Sequence, residues 1–378
     1  MVAEAKGGIS RRSDGHMVQG KWVTNSCDSS QHHEAIASPV ERLHQKGVVY
    51  CVTGGYLYFL LAYISMASLR ENGYTGPICL VTDLPAHAVQ HVASKLGITV
   101  RTVSVPDVGR FSQRWLKTTL VEVSPFDTSL FLDADTFVLR RIDDMWANVE
   151  NTDLAMALDV YDKLISSIHS SSREKEYTLS VCPPESPQYN TGVLLWRRTE
   201  ATRRFFAEWH REWARFHEVD QLAAIRAHCK TQPTTTVLEH RFNEDLGAVR
   251  NLNHATESNA VIWHSYFCKE SILLALPLLH RRQSYVIITE LVRSLTNPLA
   301  MIHFAERKRL KPRDIVLVSS FLTYSILALI FKRRCYSLGY ELMKFIYIQK
   351  KRWRKKYGSI ITNNRPSSHR YQRPVITA

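Results

Sequence analysis

The chain has 378 residues, 45% hydrophobic and 22% charged, which is ordinary globular composition with room for one large domain or a domain plus an appendage. Its net charge of +14 is uneven: residues 306–378 hold 18 Lys/Arg against three acids (+15), leaving residues 1–305 near −1. Seven cysteines, an odd number with no CxxC pair, argue against a disulfide framework and a zinc site and favour a reducing compartment.

Residues 1–46 are polar and mixed in charge, which predicts disorder and no secretory signal. Residues 47–69, "GVVYCVTGGYLYFLLAYISMASL", are 23 uncharged residues in a row. That length would suit a membrane span, but "VVYCVT" is β-branched and Gly54-Gly55 punctuates the run. The expectation is strand, Gly turn, and a buried helix over "YLYFLLAYISMASLR". The pattern then repeats. "GPICLVTD" reads as a strand, "LPAHAVQHVASKLG" as a helix, "ITVRTVSV" as a strand, "RWLKTTLVEV" as a helix and "SLFLDAD" as a strand. Strands alternating with helices predict an α/β fold with a doubly wound parallel sheet. Ligands on such sheets bind beyond the carboxyl ends of the strands, where Asp83, Asp133 and Asp135 fall.

Asp133 and Asp135 flank Ala134 at the mouth of an apolar strand. A plain turn can use such residues. Two carboxylates this close also repel unless a cation lies between them, and a hard divalent ion, Mn²⁺ or Mg²⁺, suits oxygen ligands and brings substrate phosphates with it.

"LFLDADTFVLRRIDDMW" resembles the DxD segment of GT-A glycosyltransferases, most closely the retaining family 8, or glycogenin-like, group. Further matches follow in the family's order across residues 47–270. They are Lys117 before the DxD strand, Asp159 in "MALDV", Asn190, Thr191 and Gly192 in "YNTGVLLW", Asp220 and Gln221 in "VDQLAA", Asn243 in "HRFN", and His264 in "VIWHSYF". The resemblance implies a Rossmann-like, mostly parallel mixed sheet flanked by helices. It implies a metal held by Asp133, Asp135 and His264, with His303 of "MIHFAERK" as the rival to His264. It implies hexosyl transfer from a nucleotide-diphosphate sugar, a UDP-sugar by family habit, with retention. Gln221, Asp159 and Asp220 are then the candidates near the reacting face. The sequence departs from the family at Gly54-Gly55-Tyr56, where relatives often carry Asn-Asp. Neither histidine has the Gly that the family places after it, and the cations that follow are Lys269 for His264 and Lys308 for His303.

The matched positions make physical sense as well. Tyr58 offers a ring to a nucleotide base and Thr53 a hydroxyl, with core packing the alternative for Tyr58. Lys117 offers a flexible cation to a diphosphate, or is a solvated helix residue. The Asn190-Thr191-Gly192 turn allows close approach at Gly192 and offers an amide to sugar hydroxyls. The long polar connection over residues 160–188 is expected to shape the acceptor side.

After "RKRLKPRD" come seventeen uncharged residues, 315–331, then "KRR" and "KKRWRKK". Seventeen helical residues reach about 26 Å, short of a roughly 30 Å bilayer core. Aliphatic runs mixed with cations suit an anionic membrane surface better than nucleic acid, with a true span and soluble packing as alternatives. The domain expectation is therefore a disordered segment 1–46, a GT-A domain 47–305, a basic, helical, membrane-associating region 306–356, and a disordered tail 357–378. Localisation is expected to be intracellular and membrane-associated, with a glycan, lipid or protein as acceptor. The rival functions are a nucleotidyltransferase acting on a sugar phosphate and a catalytically inactive transferase-like scaffold.

Overall fold

The computed structural model describes residues 43–289, apart from 54, 107–112, 169, 246–257, 266–271 and a few positions between 273 and 285. The basic region, the tail, most of the N-terminal segment, Lys269, His303 and Lys308 therefore lie outside the described residues.

A seven-stranded mixed sheet organises the chain, in the order β3-β2-β1-β4-β7-β6-β8. Its first half is the expected strand–helix alternation: β1 (Leu43–Val52), α1 (Tyr56–Glu71), β2 (Ile78–Thr82), α2 (Ala86–Ala93), β3 (Thr99–Thr102) and β4 (Phe126–Leu132). All pairings among these four strands are parallel. Strand β1 begins at Leu43, four residues before the boundary that polarity suggested. Its alternation explains the uncharged run. Val48, Tyr50 and Val52 join the apolar cluster on one sheet face, while Val49 and Cys51 join the cluster on the other. Helix α1 is apolar nearly all round because residues from Phe59 to Ala67 are buried, as in a core helix. Among the described residues, no helix is long and apolar enough to cross a membrane.

The second half departs from a wholly parallel sheet. Strand β7 (Pro187–Arg197) runs antiparallel to both β4 and β6 (Leu154–Lys163), and β8 (Thr235–Leu238) is parallel to β6. The expected single helix over residues 114–123 is two short ones, α3 (Gln113–Thr118) and α4 (Leu120–Val123). The break falls at Thr119, and the hydroxyls of Thr118 and Thr119 bond back to the carbonyls of Arg114, Trp115 and Leu116, which competes with the helical ladder. Residues 160–188 are not a bare connection either. They contain the end of β6 and helix α5 (Ser172–Val181), whose N-cap hydroxyl on Ser171 accepts from the Glu174 backbone N–H. Helices α6 (Glu200–Ala214) and α7 (Asp220–Thr231) complete the layer behind β7.

A second, three-stranded sheet is made of β5 (Thr136–Val138), β10 (Ile262–His264) and β9 (Glu244–Asp245), with β10 in the centre. It begins three residues after β4 ends. The Asp133-Ala134-Asp135 stretch is thus the step from one sheet to the other.

Candidate metal and donor site

The antiparallel register of β5 and β10 pairs His264 with Thr136, so a histidine far along the chain lands beside Asp135. Its Nε2 lies 3.3 Å from Asp135 Oδ1 and 3.8 Å from Asp133 Oδ2. The other ring nitrogen, Nδ1, is 3.0 Å from Asn243 Oδ1, an oxygen that only accepts. Nδ1–H therefore donates to Asn243, and Nε2 faces the two carboxylates: with a proton it donates to Asp135, and without one it offers its lone pair to an ion. One ligand atom each from Asp133, Asp135 and His264 lie within 4.8 Å of one another. Two carboxylate oxygens and one imidazole nitrogen form a donor set that suits Mn²⁺ or Mg²⁺ better than a thiophilic ion. Burial works against ionisation of Asp135, but the hydrogen bond and charge of His264 outweigh it and hold the carboxyl below its usual range.

The backbone around these ligands is fixed. Asp133 N–H donates to the Gly192 carbonyl at 2.8 Å, and Ser265 N–H donates to the Asp135 carbonyl at 2.9 Å. The Thr136 hydroxyl donates to the Asp133 carbonyl and also meets Ser65 Oγ at 2.7 Å, which in turn meets Tyr50 OH at 2.9 Å. A chain of buried hydroxyls from β1 through α1 thus supports the carboxylate turn from beneath.

Residues 190–192 are not a turn before the strand but a bulge inside β7. Met156 pairs with Leu194 while Ala157 pairs with Asn190. The bulge presses Gly192 against the ligands. A Cβ there would sit 2.0 Å from His264 Cε1 and 2.8 Å from Asp133 Oδ2. Glycine makes room for the protein's own ligands, which sequence alone had assigned to substrate. Asn190 Oδ1 accepts from the Gly192 N–H at 2.9 Å and holds the bulge.

Lys117 is neither solvated nor mobile. Its side chain is 3% exposed, its Nζ lies 3.1 Å from Asp133 and 3.4 Å from Asp220, and it rests over the Phe131 ring. Asp220 also meets Arg114 at 3.1 Å and accepts from the Thr191 hydroxyl at 2.7 Å. Burial opposes its ionisation, yet Arg114, Lys117 and Thr191 together hold the carboxyl far below its usual range. Arg114 belongs to no motif. The available signal was its position one helical turn before Lys117, on the same face.

Asp159 and Gln221 meet at the edge of this cluster. Gln221 Nε2 donates to Asp159 Oδ2 at 2.7 Å, Asn190 Nδ2 approaches the same oxygen at 3.5 Å, and Tyr161 N–H donates to Asp159 Oδ1. The donation fixes the amide orientation and turns Gln221 Oε1 away from Asp159. Thr53 follows β1, half-buried, and Tyr58 in the first turn of α1 is 37% exposed, so its ring is not a core residue.

Residues 127–271, which contain Asp133, Asp135, Asp159, Asn190, Thr191, Gly192, Asp220, Gln221, Asn243 and His264, match the family model of nucleotide-diphospho-sugar transferases. No curated protein sequence matches the chain. Among solved structures, the chain is similar to the bifunctional glycosyltransferase WbbM (12% identity, TM-score 0.48), covering 75% of this chain and 53%, about half, of that one. It is similar to the galactosyltransferase LgtC with donor and acceptor sugar analogues (15% identity, TM-score 0.43), covering 66% of this chain and 96% of that one. Mouse xyloside xylosyltransferase 1 is another (14% identity, TM-score 0.40), with 59% and 98% covered.

Proposed function

We propose that the chain is a metal-dependent glycosyltransferase that moves a hexosyl group from a nucleotide-diphosphate sugar, a UDP-sugar in the family 8 manner, to an acceptor with retention. The convergence of Asp133, Asp135 and His264 at the end of β4, with Lys117 against Asp133, carries this reading. A bound divalent ion would supply charge to the leaving diphosphate. The chain's own residues do the rest. Asp133, Asp135 and His264 would hold the ion, and Lys117 would exchange a carboxylate for a phosphate oxygen. Thr53 and Tyr58 border the nucleotide end, and Lys269 is the candidate second cation for the diphosphate. Asp220, enclosed by Arg114, Lys117 and Thr191, orders the cations rather than attacking substrate. Asp159 orients Gln221, whose amide oxygen is the group left to face the reacting sugar. The basic region 307–356 would hold the enzyme at an anionic membrane surface inside the cell.

Release of nucleotide diphosphate from a panel of UDP- and GDP-sugars, with Mn²⁺ or with EDTA, tests the proposal. Metal-dependent release of one nucleotide, lost in Asp133→Ala/Asp135→Ala, is expected. Absence of both release and metal-dependent nucleotide binding would overturn it. Pyrophosphate release from a nucleoside triphosphate and a sugar phosphate would instead identify a nucleotidyltransferase.

A further inference from the structure

Away from the carboxylates, the segment before β7 meets α7 through a small apolar cluster of its own. Leu164, Cys182, Leu222 and Ile225 form it, with Leu179 and Cys229 packed against it. Two of these six side chains are thiols. Cys182 caps the C-terminal end of α5 and Cys229 lies in the last turn of α7, 47 residues later in the chain. Both are free and share this one cluster, Cys182 buried within it and Cys229 packed against it. Ser186 Oγ lies 3.7 Å from the Cys229 sulfur.

We propose that Cys182 and Cys229 are a built-in dithiol that closes to an intramolecular disulfide by exchange with a small-molecule disulfide such as glutathione disulfide. This stands independently of the transferase reading. The two thiols differ in the way that exchange needs. Cys229 is partly exposed and Cys182 is buried. The neighbouring Cys182 thiol, opposed by burial and helped by Ser186, brings the Cys229 thiol below its usual range. The neighbouring Cys229 and burial push Cys182 up. Cys229 is therefore the attacking thiolate and Cys182 the resolving thiol. Cys229 forms a mixed disulfide and expels one glutathione thiolate. Cys182 then loses its proton, attacks the Cys229 sulfur and expels the second. One glutathione disulfide is reduced to two glutathione molecules as two protein thiols become one disulfide. The link would tie the approach to β7, and so the Asn190–Gly192 bulge, to the helix that begins with Asp220 and Gln221.

The test uses the full chain, incubated over a series of glutathione redox ratios, quenched with N-ethylmaleimide and digested with trypsin. The expected product joins residues 176–197 to residues 227–230. It should disappear on reduction and be accompanied by a rise in Tm of about 5–10 °C, as a cross-link closing a loop of this length gives. Cys182→Ser should accumulate the glutathione adduct of Cys229 instead. The wild-type peptide map decides even if that variant fails to fold. Recovery of both cysteines as maleimide adducts at oxidising ratios, of Cys229 only as a glutathione adduct, or of Cys229 joined to another cysteine would overturn the proposal. So would a link that lowers Tm, since it would require forced geometry.

Discussion

Gly192 shows how tightly single residues set this site. A methyl at this position would overlap His264 at 2.0 Å and crowd Asp133, so either the bulge or a ligand must move. Gly192→Ala is expected to cost about 1–3 kcal/mol in stability by overpacking. It should also lower metal-dependent donor hydrolysis about 100-fold, because displacement of a ligand by an ångström is costly. Urea titration and the hydrolysis assay separate the two effects. Asn243 acts one step further out, by accepting from His264 Nδ1. Asn243→Ala should weaken Mn²⁺ binding about 10–100-fold with little change in melting temperature, measured by calorimetric titration of the metal. Unchanged affinity would mean that the Asn243 bond does not select the ring tautomer.

At the scale of elements, α5 is held by one buried cation. Arg226 of α7, wholly buried, meets Glu212 at 2.7 Å, Glu174 at 3.0 Å and Thr178 at 2.7 Å. Glu212 is shared with Lys230 and held below the ordinary carboxylate range, despite burial, by Lys230 and Arg226. Among the described residues the cation paired with Glu174 is Arg226 alone, and burial wins, pushing the carboxyl up to about 7. A group with this shift keeps its proton in the folded chain where the unfolded chain has lost it. The folded state binds more protons from about pH 4.5 to pH 7, so stability falls as pH rises through that window. Denaturant unfolding at pH 4.5 and pH 8 should show the wild type losing about 2–3 kcal/mol relative to Glu174→Gln, which has no proton to lose. A difference that does not vary with pH would show Glu174 to be ionised throughout. Arg226→Leu takes the cation from buried Glu174 and leaves Glu212 to Lys230 and Arg215, and is expected to cost about 3–5 kcal/mol.

The sequence declares the parts of this architecture that depend on neighbours in the chain. Leu130–Leu132 followed by Asp133 and Asp135 marks a strand end, and the first four strands follow from local apolar runs and Gly punctuation. The antiparallel insertion of β7 is not written locally, because "GVLLW" is equally apolar in either direction. The bulge at residues 190–192 looks like a turn, since Asn and Gly suit both. Helix α5 hides in a polar segment because its stability comes from Arg226, supplied by a different helix. Lys117 looks solvated for the same reason: its partner Asp220 lies about a hundred residues on.

Charge distribution makes the last prediction one for the whole molecule. A body near −1 joined to a region of +15 behaves as a dipole toward an anionic surface, attracted at one end and indifferent at the other. Residues 350–356 hold six of those cations within seven positions. Each cation near a bilayer with anionic headgroups contributes about 1 kcal/mol, an attraction that screens over roughly a Debye length. Sedimentation of the full chain with phosphatidylserine-containing vesicles should therefore be strong at low salt and fall steeply by 0.5 M. Replacing the six cations with Gln should weaken it at least tenfold. Binding that survives both high salt and the six substitutions would transfer the role to the uncharged run 315–331, since burial of aliphatic side chains is not screened. Failure to bind at low salt would remove the membrane from the proposal and leave the site at the end of β4 to act in solution.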